Sequence, residues 1–128
     1  MSFTIKIDKQ KRVIVSTFAG AFTPDVILQG RKLLKDDPAF DPSFAHVLDL
    51  SRVTKVEMPG PAMERLARDR SIFEKTSVQV IVAPERLKFE FAKLFRSKSS
   101  KERPSLHVTR TLEAAYALIA LSHSSMKA

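Results

Sequence analysis

A chain of 128 residues is the size of one domain, which buries about two thirds of the surface its unfolded form exposes and so holds together without staples. It contains no cysteine, which excludes disulfides, thiolate zinc sites and a cysteine nucleophile, and makes a cytoplasmic location the expectation because nothing requires an oxidising compartment. Twenty-two basic against fourteen acidic side chains give a net charge of +8, a balance that raises nucleic acid or an anionic surface as partner.

The first residues, MSFTIKIDKQKR, alternate apolar and polar where a signal peptide needs an unbroken apolar stretch, and no span is apolar for long enough to cross a bilayer. Phe3 to Ile7 alternates with period two, DKQK supplies a turn, and Arg12 to Phe18 is rich in β-branched residues, which predicts a hairpin with its second strand inside the sheet. After Gly20, Thr23 is placed to cap a helix, Pro24 suits its first position and Asp25 its positive end. Val26, Ile27, Gly30, Leu33 and Leu34 form its predicted buried stripe. Two Asp-Pro pairs in DPAFDPSF end that helix, and Phe40 and Phe44 are expected to lid the core.

His46 to Leu50 reads as a short buried strand, followed by a loop over 49–60. A second helix begins near Gly60 with Met63, Leu66 and Ala67 facing inward. Val78 to Ala83 is a buried strand. PERLKFEFAKLFRSKSS is a third helix with Leu87, Phe91, Leu94 and Phe95 on its inner stripe. Leu106 to Thr109 supplies a fifth strand, and Thr111 caps a fourth helix. The order ββαβαβαβα predicts one α/β domain over 1–121 with a frayed tail at 122–128: a mostly parallel five-stranded sheet, its first strand antiparallel, with four helices.

This element order, with DLSRVTKVEMPG between the third strand and the second helix, resembles the STAS and SpoIIAA-like family, the anti-sigma-factor-antagonist fold. IVAPERLKFEFAKLF and HVTRTLEAAYALI are similar to a branch of small bacterial STAS-like proteins, and the resemblance runs from Phe3 to about Leu121. In antagonist proteins the loop ends in a D-S-S-G pattern whose second serine is phosphorylated. Glu57, Met58, Pro59 and Gly60 occupy those four places, so the resemblance implies the family's loop without its hydroxyl acceptor. It implies a non-catalytic regulatory or protein-interaction module that docks without a covalent switch.

The candidate contact residues fall in two places. In the 49–60 loop they are Asp49, Ser51, Thr54 and Glu57. Asp49 is placed at the carboxyl end of a strand, where open α/β sheets hold ligands, but an aspartate bracing its own loop fits the same pattern. Ser51 and Thr54 sit where a phosphate would meet a helix start, or where hydroxyls bond their own backbone. On the third helix they are Phe89, Lys93 and Arg96, which share its outer side at about 100° per residue. Phe89 among cations is either a contact point for a base, membrane or protein, or a ring packed under a loop. Between Arg86 and Arg103 the chain carries seven basic and two acidic side chains, so the alternative function is a binder of an anionic small molecule, lipid head group or nucleic acid through that helix.

His46, His107 and His123 are scattered, three glycines make no phosphate-cradling loop, and no paired carboxylates appear, so no enzyme, metal or cofactor is expected. The same fold superfamily resembles the CRAL-TRIO lipid-transfer domains, but enclosing an acyl chain takes helices this chain has none of to spare, which leaves a small amphiphile between the third helix and its neighbours as the open lipid reading. Phe89, Tyr116 and Ile72 are the apolar residues a second copy is expected to cover in a homodimer.

Overall fold

The structure is a computed structural model that describes residues 3–127, with side chains described as far as His123. Five strands lie in the order β1-β2-β3-β4-β5, which is also their order along the chain. Strand β1 (Phe3–Asp8) runs antiparallel to β2 (Val13–Phe22), with Phe3 opposite Phe18 and Asp8 opposite Val13. The Asp8 carboxylate accepts the Lys11 N–H at 2.9 Å and closes the turn. Strands β3 (Ala45–Val56), β4 (Gln79–Val82) and β5 (Leu106–Thr109) continue parallel to β2. The element order and the antiparallel first strand agree with the sequence.

Each parallel step is a crossover through one helix: α1 (Pro24–Asp36), α2 (Gly60–Arg68) and α3 (Arg86–Lys98). Successive crossovers of one hand in one direction put all three helices on the same face. Phe18, Leu50, Ile81 and Leu106 meet Val26 of α1 and Ala92 of α3 there. Helix α4 (Leu112–Lys127) covers the other face, where Ala115 and Ile119 pack on Val13, Val47, Val80 and Val82. It runs past Leu121, into the stretch read as a tail. No helix among the described residues is long and apolar enough to cross a membrane.

The start of α1 is built as its sequence dictates, with the Thr23 hydroxyl accepting the Val26 N–H at 3.2 Å and Pro24 opening the helix. Thr23→Ala is therefore expected to lower the unfolding free energy by about 1 kcal/mol in urea titration, while Thr23→Ser stays close to wild type. Leu33 departs from the expected stripe: Val26, Gly30 and Leu34 are buried, and Leu33 lies at the stripe's outer margin, 51% exposed.

Helix α3 is rotated relative to its expected stripe. Lys88 and Ala92 are buried, and Phe89, Phe91 and Phe95 are half-buried against the core. Leu87 is 82% and Leu94 49% exposed. Three aromatic rings offer more area to bury than two leucines, and Ala92 between them lets the helix approach the sheet closely.

Strand β3 is longer than the five-residue run its sequence suggests. Two irregularities interrupt its pairing with β2, between Thr17 and Ala19 and between Gly20 and Ala21, and each gives β3 one extra residue. They fall at Leu50–Ser51 and at Thr54. Pairing resumes after each, one residue further along β3, and Val53 between the two is only 1% exposed. Gly20, with φ +76°, takes the backbone bend in β2 that this requires.

Candidate functional site

The expected 49–60 loop is mostly strand, which changes the setting of its residues. Asp49 lies inside β3, is 5% exposed, and accepts the Ser51 N–H on its Oδ1 at 2.9 Å. It is not at the carboxyl end of its strand, and a sheet whose strands follow chain order has no reversal point at which a ligand crevice opens. Its carboxylate braces the first bulge of β3. Glu57 is exposed, pairs with Lys55 at 3.1 Å, and donates its own N–H to the Phe22 carbonyl at 2.9 Å.

Strand β4 pairs with β3 only from His46 to Asp49. From Ser51 to Val56, β3 has β2 on one side and, among the described residues, no strand on the other. Ser51, Arg52, Thr54 and Lys55 are exposed along this overhang. Pro59 follows as the N-cap of α2, with no side-chain cap hydrogen bond.

Phe89, the second expected contact point, is half-buried. Its ring packs against the core, with the Arg110 guanidinium 4.1 Å and the Lys93 ammonium 5.2 Å from its centroid. Lys93 also pairs with Glu90 at 3.3 Å. The exposed surface of α3 presents Leu87 and Leu94 on one flank and Arg96 on the other. Ile72, expected at a dimer face, packs against Ile14, Phe44 and Phe73, whereas Tyr116 is 45% exposed.

A site the sequence did not announce lies between the sheet and α1. Ser16 of β2, His46 of β3 and Gln79 of β4 occupy inward positions on adjacent strands and border a cleft of about 120 Å³. Gly30 of α1 leaves the space: a Cβ there would stand 3.2 Å from Phe18 Cζ. Arg31 of α1 and Arg103, from the segment between α3 and β5, complete the rim. A wider groove of about 770 Å³ runs between the hairpin and α4, lined by Lys6, Lys11, Arg12, Tyr116 and His123; its lysines and arginine are at the protein surface.

Ser16 Oγ and His46 Nε2 share a hydrogen bond of 2.9 Å, and the imidazole stacks on Phe73 with centroids 4.6 Å apart. Burial holds the His46 pKa down to about 4, so the ring is neutral at pH 7. Arg103 is 7% exposed, donates from Nη1 to the Ala67 carbonyl at 3.2 Å, and lies over the Phe95 ring at 5.4 Å. Burial, and secondarily the charge of Arg31, lower its pKa from the usual guanidinium value. Arg31 pairs with Asp69 at 3.7 Å. His107, outside the cleft, is also held below its ordinary pKa by burial and by Arg96.

Among the described residues no group of three or more His, Asp and Glu side chains is placed to hold a metal ion. No protein-family model matches the chain, and no curated protein matches it.

Proposed function

We propose that this chain is a non-catalytic regulatory or protein-interaction module of the STAS-like type, working in the cytoplasm, which docks its partner on the overhanging edge of β3 and the start of α2. The observation that carries the reading is that edge. From Ser51 to Val56 the strand keeps its extended geometry and has lost its neighbour on the β4 side, and Ser51, Arg52, Thr54 and Lys55 are exposed along it. An extended segment of another protein added to such an edge gains main-chain hydrogen bonds, while Arg52 and Lys55 favour an acidic sequence.

Two further observations support a docking role over chemistry. The Asp49 carboxylate is committed to its own backbone, and Pro59, at the helix start, has no hydroxyl to modify. A second copy remains a candidate partner through Tyr116 and the exposed leucines of α3. A monomeric mass at high concentration argues against that variant of the reading.

Thr54→Pro tests the proposal. Thr54 is the extra residue of the second bulge, a position where a sheet tolerates proline, yet the ring removes a donor and obstructs strand addition. A protein that co-purifies with the wild type is expected to be lost from Thr54→Pro and kept by Lys93→Glu with Arg96→Glu, all with unchanged circular dichroism. Retention by Thr54→Pro and loss from the α3 variant would move the docking surface to α3.

A further inference from the structure

The cleft beneath α1 adjoins a second space of about 80 Å³, and Phe18, Leu48, Ile81 and Arg31 line both. This second space is apolar, walled by Phe22, Met58, Met63 and Phe91. The cleft thus has a polar end, bordered by Ser16, His46, Gln79 and the two guanidinium groups, and a dry end.

The charged side chains lining the two spaces are Arg31, which borders both, and Arg103, which borders the first; Asp69, paired with Arg31 at 3.7 Å, and Glu102, whose charge reaches Arg103, lie outside them. A guanidinium has five N–H donors, and Arg103 makes one hydrogen bond, to Ala67. No buried side-chain nitrogen or oxygen among the described residues lacks a partner, so the other Arg103 nitrogens are not fully enclosed, and the residue lines the cleft. Arg31 is 24% exposed and marks the way in from solvent.

The geometry points to a binding site for a small monocarboxylate with an apolar body, its carboxylate held by Arg31 and Arg103 and its aryl or short alkyl group lying toward Met58 and Met63. Two planar guanidinium groups suit a carboxylate, which accepts paired N–H bonds from either. An apolar cavity of about 150 Å³ accepts a benzene-sized group; the dry space, about 80 Å³, is smaller than that, so a ring is held there only by extending into the adjoining polar cleft of about 120 Å³. The dry space is bordered by the rings of Phe22 and Phe91, which meet edge-on at 6.1 Å. The site is independent of the β3 edge and stands or falls separately from the docking proposal.

The test uses benzoate, benzamide and inorganic phosphate on the full chain, followed by titration calorimetry and by amide shifts in NMR spectra. Benzoate is expected to saturate and to shift Gly30, His46 and the backbone around Arg103, with benzamide at least about tenfold weaker because it lacks the charge. Phosphate, lacking the apolar body, is expected to be weaker than benzoate by a similar factor. Arg103→Gln also removes the bond to Ala67, so Arg31→Gln, on a partly exposed side chain, carries the mutational arm and is expected to weaken benzoate about tenfold with the fold retained. Equal binding of benzoate and benzamide, phosphate competing as well as benzoate, unchanged affinity in Arg31→Gln, or no saturable benzoate binding would each overturn the assignment.

Discussion

Phe22→Ala is expected to remove about 3–5 kcal/mol of unfolding free energy, a large share of what a domain of this size possesses. The ring is 2% exposed and meets Phe18 and Phe91 edge-on, with centroids 5.2 and 6.1 Å away. It is therefore the joint between the end of β2 and α3, and alanine there leaves a void that rings on two different elements cannot close together. The measurement is the midpoint of urea unfolding at constant slope. Leu33→Ala is the control. It removes a large apolar side chain at a position 51% exposed, and is expected to change stability by less than about 1 kcal/mol. Equal losses in the two variants would mean that α1 is seated on the sheet through Leu33.

Acid is expected to weaken the fold through His46. Its pKa falls from 6.5 to about 4 on folding, because the ring gives up water for Ser16 and Phe73. Between those values the unfolded chain takes up a proton that the folded chain refuses, so the contribution is complete above pH 6.5 and is lost progressively as pH falls toward 4. A tenfold change in proton affinity corresponds to about 1.4 kcal/mol, which sets an upper bound of about 3 kcal/mol because part of the His46 surface opens into the cleft. His107 is displaced in the same direction and leaves a residual slope. Asp41, held down by Ser43, and Glu64, held down by Lys98, add losses of their own as their carboxylates protonate at lower pH. His46→Gln keeps a hydrogen-bonding group and cannot titrate. The difference between the wild-type and variant unfolding curves across this range isolates the histidine; superimposable curves would refute the assignment.

What the sequence conveys and what it withholds follow from the range over which each signal acts. The start of α1 rests on three consecutive residues, Thr23, Pro24 and Asp25, and the inner side of α2 on Met63, Leu66 and Ala67; both are legible because local spacing decides them. Strand β3 reads too short because a bulge breaks the period of two on which strand reading depends, and Ser51 and Thr54 then look like loop hydroxyls. The facing of α3 is not legible because leucines and phenylalanines recur together along it, and only the sheet decides which are buried. Arg110, which caps Phe89, comes from the far side of β5, and no spacing rule connects the two. The cleft is hidden for the same reason, since Arg31 and Arg103 meet only in the folded chain. One local sign exists: Ser16, His46 and Gln79 are polar residues at the inward phase of three apolar strands.

The strand order, identical in space and in sequence, bears on how the chain comes together. Each new pairing joins segments separated by at most a single helix, so no closure spans more than one crossover and the entropic barrier to each is modest. A nascent chain can pair β2 with β3 before β4 has been made, and lay β4 and β5 against that edge in turn. Helix α4 is the exception. Until Leu112–Lys127 arrives, the valines of β2, β3 and β4 on the opposite face stand in water, and it is over this interval that the growing sheet is open to association with its neighbours.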